Sequence, residues 1–279
     1  MNVDLASAIR QNVAAALAED IGSGDLTARL VPAEKTAAAT VISREAAVLC
    51  GTAWFDGCFR DLDPQIEIRW FAGDGEPVAA NQTLCEIHGD ARAMLSAERP
   101  ALNFLQTPSA TATLTRRYVD AISGTGTAIL DTRKTLPGLR LAQKYAVRCG
   151  GGQNQRVGLF DGILIKENHI MAAGGIESAL KQAAALAPSG VPIQIEVETL
   201  DELKEALRVG ARLILLDNFT LPDLAEAVRT AGKQAVLEAS GGITLDNVRA
   251  VAQTGVHRIS VGSLTKDVKA VDLSLRLKI

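Results

Sequence analysis

Aromatic residues are scarce: six Phe, two Trp and two Tyr in 279 residues, with a formal net charge of −3. A nucleic-acid binder usually offers a basic face studded with stacking aromatics, and this composition excludes one. Cysteine is scarce too. Cys50, Cys58, Cys85 and Cys149 show neither CxxC spacing nor a Cys/His ligand cluster, which excludes a structural zinc site and leaves a reducing cytoplasm as the expected compartment. Of the three histidines, His88 and His257 read as structural or exposed, and only His169 lies near other candidate groups. No apolar run approaches the ~18 residues of a membrane-spanning helix, so no membrane contact is expected. The N-terminal stretch has Asp4 early and Val3, Leu5, Ile9, Val13 and Leu17 on one helical face, which predicts an amphipathic docking helix rather than a signal peptide.

What is present divides into two textures. Over roughly the first hundred residues, short β-prone runs such as "TAAATVISREAAVLCG" and "QIEIRWFAGDGEPV" alternate with Gly, Asp and Pro turns. Part of it, "GDGEPVAANQTLCEI", has the turn pattern of a lipoyl or biotinyl carrier but lacks a lysine to modify. From Thr127 onward, strands predicted at 127–131, 162–166, 192–198, 212–217, 234–239 and 258–262 alternate with helical segments, several closed by Gly. Repeated strand-helix units imply parallel strands joined by right-handed crossovers. Their even spacing, and the lack of GxGxxG after the first strand, favour an open or incomplete (β/α) barrel over a Rossmann-like sheet.

Chemistry in such barrels gathers at the C-terminal ends of the strands. Those ends carry Asp131-Thr132-Arg133-Lys134, Lys166-Glu167-Asn168-His169, Glu196, Glu198, Asp217-Asn218, Glu238-Ala239-Ser240-Gly241-Gly242 and Gly262-Ser263. Lys144 and Arg148, four apart on a predicted helix, fit a solvated stripe equally well. Arg133, Lys134, Arg156 and Lys166 lie at strand ends or in a glycine-rich turn, where converging cations are costly unless an anion neutralises them. A ligand with several negative charges is implied. "CGGGQNQR", "EASGGI" and "SVGSLT" can present backbone N–H groups to phosphates. Glu196 and Asp217 either pair with the lysines or bind sugar hydroxyls or Mg²⁺.

"EDIGSGDLT", "ERPALNFLQTPSATAT", "DTRKTLPGLR", "KYAVRCGGGQNQRVGLFDGILIKENHI", "IEVETLDEL", "LILLDN", "EASGGIT" and "ISVGSLTK" occur in that order and resemble the quinolinate phosphoribosyltransferase family from about residue 19 to the C-terminus. The resemblance implies an N-terminal α/β sandwich over 1–112, rejoined by 267–279, and an open α/β barrel over 113–266. It also implies the reaction: quinolinate and phosphoribosyl pyrophosphate give nicotinate mononucleotide, pyrophosphate and CO₂, with Mg²⁺ accompanying the pyrophosphate. Carried over by position, Arg133, Arg156 and Lys166 resemble carboxylate ligands, with Thr132, Gln155 and His169 beside them. Lys134 stands where both substrates meet, Glu196 and Asp217 resemble the ribose and metal acids, and Ser240, Gly241 and Gly262 resemble the phosphate loops. Arg99 resembles an arginine delivered to a neighbouring subunit, which implies a dimer or larger assembly.

The sequence departs from the family pattern at Gln155, where His is usual, and at Pro100, Pro108 and Ala110. A break or kink is predicted near Pro108, because proline costs ~3 kcal/mol inside a helix. Three other readings stay open at this point: a related pyrophosphorylase for another anionic ring, a Schiff-base barrel lyase using Lys134 or Lys166, and a non-catalytic anion-binding protein.

Overall fold

The computed structural model describes residues 4–278. Val3, expected on the first apolar face, and Ile279, at the end of the expected 267–279 return, lie outside the described residues. Asp4 accepts a hydrogen bond from the Ser7 N–H at 3.1 Å and so starts helix α1 (Leu5–Ile21), which buries Val13 and Leu17 with Leu5 and Ile9 packed beside them.

The early strands are β1 (Thr36–Ser43), β2 (Ala47–Val48), β3 (Glu67–Trp70), β4 (Pro77–Val78) and β5 (Thr83–Asp90). Every second residue of β1 is buried, the period expected of a strand covered on one face. Helix α2 (Thr52–Arg60) buries Trp54, Phe55 and Phe59 in the same core, and the Phe55 ring meets Trp70 edge-on at 5.2 Å. The few aromatics are thus spent largely on this core.

Helix α3 (Ala91–Ala121) runs through Pro100 and Pro108 without interruption, so the expected break at Pro108 does not occur. Pro108 has no N–H for the Phe104 carbonyl, and Gly51 packs closely against that oxygen: a Cβ built on Gly51 would sit 2.4 Å from it. Side chains of the next turns hold the same segment, with Ser109 Oγ accepting from the Cys50 N–H at 2.9 Å and Thr113 Oγ1 from the Val48 N–H at 2.8 Å. Tertiary packing outweighs the local cost of proline.

Beyond α3 follow β6 (Ala128–Leu130), α4 (Arg140–Cys149), β7 (Ile163–Ile165), α5 (Glu167–Ala173), α6 (Ile176–Leu186), β8 (Ile193–Val197), α7 (Leu200–Arg208), β9 (Leu213–Asp217), α8 (Leu221–Ala231), β10 (Val236–Ser240), α9 (Val248–Gln253), β11 (Arg258–Ser260), α10 (Ser263–Lys266) and β12 (Leu273–Lys278). Thr199 and Thr220 cap α7 and α8 by accepting from the Glu202 and Asp223 N–H groups. Each expected strand forms within two residues of its predicted ends.

Two compact units result. One comprises residues up to Arg116, Thr135–Gly151 and Thr265 onward; the other comprises Arg117–Lys134 and Gly152–Leu264. Helix α4 thereby belongs to the first unit although it falls in sequence between β6 and β7. That unit contains a four-stranded antiparallel sheet in the order β12-β1-β5-β3, with β12 paired along β1 from Ser43↔Leu273 to Ala38↔Lys278.

The second unit holds six parallel strands in the order β6-β11-β10-β9-β8-β7. Among the described residues β6 and β7 do not pair, so the barrel is open, as expected. The outer side of β6 is met by the segment after the glycines: Gln153 bridges Leu130, its N–H donating to the Ile129 carbonyl at 2.8 Å and its carbonyl accepting from the Asp131 N–H at 3.2 Å. That segment is set against the barrel interior.

Candidate active site

The inward residues of the parallel strands enclose a cavity of about 430 Å³ lined by Thr132, Arg133, Lys134, Gln155, Arg156, Leu164, Lys166, Glu196, Leu215, Asp217, Glu238, Ser240 and Ser260. Nine of the thirteen expected site residues line it: Thr132, Arg133, Lys134, Gln155, Arg156, Lys166, Glu196, Asp217 and Ser240. All nine belong to the second unit.

Charge is sorted around the cavity. Arg133 and Lys134 follow β6, Arg156 stands on the segment beside β6, and Lys166 follows β7, so the cations come from the two edges of the open sheet. Glu196, Asp217 and Glu238 come one each from β8, β9 and β10, its middle strands. Lys166 Nζ reaches across to Glu196 Oε2 at 2.9 Å and Oε1 at 3.2 Å. Burial and the neighbouring Arg133 charge depress the Arg156 pKa, against the pull of Asp161, which marks a place where positive charge is crowded. Burial first, then the Glu196 carboxylate, raise the Asp217 pKa, partly offset by Lys166 and Lys134. Both ends of the field are poised for counter-charge.

Depth is set by strand register. Asp217 pairs with Ser240 at the mouth, whereas Leu215 pairs with Glu238 two residues further in, roughly 6–7 Å at about 3.3 Å per residue. At that lower level Gln155 Nε2 donates to Glu238 Oε1 at 2.8 Å, to Glu238 Oε2 at 2.6 Å and to Gln194 Oε1 at 3.0 Å. Gln194 Nε2 donates to Glu238 Oε2 at 2.9 Å. Asp131 holds the same segment, its Oδ1 accepting from the Gln155 N–H at 2.8 Å and its Oδ2 from Asn154 Nδ2 at 2.6 Å. Arg156, whose NH1 donates to the Gly162 carbonyl at 2.8 Å, is fixed at the end of this chain of contacts.

Two glycines shape the mouth. A Cβ on Gly241, whose φ is +95°, would lie 2.1 Å from Asn218 Oδ1, and Asn218 Nδ2 in turn donates to Asp217 Oδ2 at 2.8 Å. A Cβ on Gly262 would lie 3.2 Å from Lys134 Cδ, so the bare backbone lets that lysine pass over the end of β11. Both sit beside the cavity lining.

The remaining expected residues fall elsewhere. His169 does not line the cavity; its Nδ1 accepts the Lys166 N–H at 3.0 Å, closing the start of α5, and its ring borders a groove with Ile163, Ile165 and Ala172. Arg99 stands on α3 in the first unit, its side chain 59% exposed and its nearest acid, Glu98, 4.0 Å away. Glu238, Gln194 and Ser260 line or floor the cavity; the sequence marks Glu238 as a strand-end residue and Ser260 as part of "SVGSLT" without a role of its own, and does not mark Gln194. The signal was available: Glu238 stands two residues before Ser240, on the same strand face.

An open parallel barrel with a polar, charge-sorted cavity at its strand ends has the architecture of an α/β-barrel enzyme. Residues 25–109 match the quinolinate phosphoribosyl transferase N-terminal domain and residues 111–276 the C-terminal domain of the same name. The chain belongs to the quinolinate phosphoribosyl transferase family. It is 41% identical over 257 residues to a Bacillus subtilis (strain 168) protein named probable nicotinate-nucleotide pyrophosphorylase (carboxylating), covering 92% of this chain and 89% of that one. A chloroplastic nicotinate-nucleotide pyrophosphorylase (carboxylating) of Oryza sativa subsp. japonica is 40% identical, covering 94% and 76%. The solved nicotinate-nucleotide pyrophosphorylase of Francisella tularensis is 47% identical with a TM-score of 0.94, covering 98% and 96%.

Proposed function

We infer that the protein transfers the phosphoribosyl group of phosphoribosyl pyrophosphate to quinolinate with decarboxylation, giving nicotinate mononucleotide, pyrophosphate and CO₂ for NAD synthesis. The observation that carries this reading is the cavity of the family's C-terminal domain, cationic at its two edges and acidic between them. As the ring nitrogen bonds to C1 of the ribose, the C1–O bond to pyrophosphate breaks and its electron pair leaves with pyrophosphate. Loss of the 2-carboxylate as CO₂ leaves an electron pair at ring C2, which takes a proton from solvent. No covalent protein intermediate is needed, so catalysis is positioning and electrostatics.

Arg133, Arg156 and Lys166 bind the quinolinate carboxylates, with Thr132 and Gln155 beside them; the arginine forks suit carboxylates bidentately. Lys134, over the end of β11, meets both the ring and the departing pyrophosphate. Ser240, Gly241 and Gly262 receive the 5′-phosphate. His169 acts through its hold on Lys166. Glu196 and Asp217 bind ribose and Mg²⁺. No group of three or more His, Cys, Asp or Glu among the described residues could hold a metal ion alone, and Glu196 and Asp217, near enough to act on each other, would supply two hard oxygen ligands to such an ion. Mg²⁺ bound there supplies charge neutralisation at the pyrophosphate.

Arg99, exposed on α3, completes the site of a second copy, which makes the working form a dimer or larger assembly. The four thiols are free, which suits a reducing cytoplasm, and no helix among the described residues is long and apolar enough to cross a membrane. Nothing in the relatives' names points to another ring acid, a Schiff-base lyase or a non-catalytic binder.

The test is production of nicotinate mononucleotide and CO₂ from quinolinate and phosphoribosyl pyrophosphate, with and without Mg²⁺. Mg²⁺-dependent formation of both is expected. Folded protein that forms neither overturns the reading.

A further inference from the structure

Glu238 is 1% exposed, yet it faces the cavity two residues below Ser240. Both its oxygens accept hydrogen bonds, and the donors are the neutral carboxamides of Gln155 and Gln194 rather than a cation. Among the described residues it joins no ion pair. Glu196, by contrast, is met by Lys166.

A buried charge without a cation is expensive, and a site that binds two polyanions gains nothing for binding by holding one. Its field favours positive charge, and the reaction inferred above creates positive charge on the ribose ring and then on the pyridinium ring. Two amides can hold a carboxylate in place without cancelling its charge, as a lysine or arginine would.

Resting on that reading of the reaction, we propose that Glu238 is a further catalytic group: a fixed negative charge beneath the ring that stabilises the developing oxocarbenium and pyridinium cations, with Gln155 and Gln194 as the positioning residues that orient it. The role acts on the transition state and the cationic product, not on the anionic substrates.

The sign of the kinetic effect separates this from a bracing role for the Arg156 segment. Glu238→Gln keeps the shape and removes the charge, and its one carboxamide oxygen can still accept where Glu238 Oε2 now receives both Gln155 and Gln194. Its kcat should fall about 10- to 100-fold, the scale of one unit charge acting over several ångströms in a partly shielded site. The KM for quinolinate should stay level or fall, because an opposing charge has gone. By calorimetry the variant should bind nicotinate mononucleotide about tenfold more weakly than the wild type, while phthalate, a dicarboxylate with a neutral ring, binds as well or better. A raised KM with unchanged kcat, or undiminished affinity for the mononucleotide, overturns the proposal.

A second measurement needs no variant. With pyrophosphate and Mg²⁺ present, the wild type should prefer N-methylpyridinium-3-carboxylate to 3-methylbenzoate, which has the same outline and a neutral ring; equal or reversed preference overturns the proposal. Wild-type protein that makes no mononucleotide fails the underlying reading, and this inference with it. Normal wild-type turnover with unchanged kcat in the variant fails this inference alone.

Discussion

The edges and the middle of the open barrel are built from the same strand-helix unit, yet they carry opposite charge. At the edges, β6 with its flanking segment and β7 present Arg133, Lys134, Arg156 and Lys166; in the middle, β8, β9 and β10 present Glu196, Asp217 and Glu238. The difference teaches how one cavity serves two ligands. In the proposed function the groups beside β6 and β7 clamp carboxylates, while the hydrogen-bonded middle turns its acids toward ribose, metal and developing cation.

The largest effect is expected at the edge. Lys134→Ala should lower kcat about 10²- to 10³-fold, the scale of losing one fixed transition-state contact, with the thermal unfolding midpoint unchanged; near-normal turnover would break the comparison at its cationic side. Arg99→Ala should be similarly inactive, and mixing the two inactive proteins should restore activity through hybrid sites. Absence of recovery despite demonstrated subunit exchange contradicts a shared site.

Next comes the middle. Asp217→Asn should raise the KM for phosphoribosyl pyrophosphate and the Mg²⁺ concentration needed for half-maximal rate, leaving the KM for quinolinate within about twofold, the range in which substitutions outside a direct contact act. Steady-state kinetics with each substrate varied in turn decides this. A smaller effect follows from Gly241→Ala, whose new methyl meets Asn218 Oδ1 and whose φ of +95° disfavours a side chain. It should cost about 1–3 kcal/mol of stability and weaken phosphoribosyl pyrophosphate binding through the Asn218–Asp217 hydrogen bond. Chemical denaturation and a binding isotherm read the two effects separately.

The smallest effect belongs to His169, which touches backbone rather than the cavity. His169→Ala should cost about 0.5–2 kcal/mol, as lost helix caps do, and change kcat only a few-fold. A loss as large as that at Lys134 would place the imidazole in the chemistry.

Much of this was legible in the sequence because parallel barrel strands are buried apolar runs ended by polar residues. The six strands and seven of the nine lining residues, Thr132, Arg133, Lys134, Lys166, Glu196, Asp217 and Ser240, follow from that pattern, while Arg156 comes from the glycine-rich turn and Gln155 from the family resemblance. What escaped has physical reasons. Pro108 signals a broken helix only where nothing else holds the segment, and the groups that hold it here, Cys50 on Ser109 and Val48 on Thr113, stand 59 and 65 residues earlier. Helix α4 joins the first compact unit through packing that local periodicity does not encode. His169 adjoins the strand end in sequence, but its ring turns back to the Lys166 N–H. Glu238 stands among the strand-end residues of the sequence, but nothing there says that it lies two residues below the tip of β10, on the floor of the cavity.

The division between edges and middle is tested most directly by calorimetric titration of quinolinate alone into Arg156→Ala and Asp217→Asn proteins. The account predicts that binding is lost in the Arg156 variant and kept in the Asp217 variant. Quinolinate binding that survives loss of Arg156 and vanishes with Asp217 would contradict it.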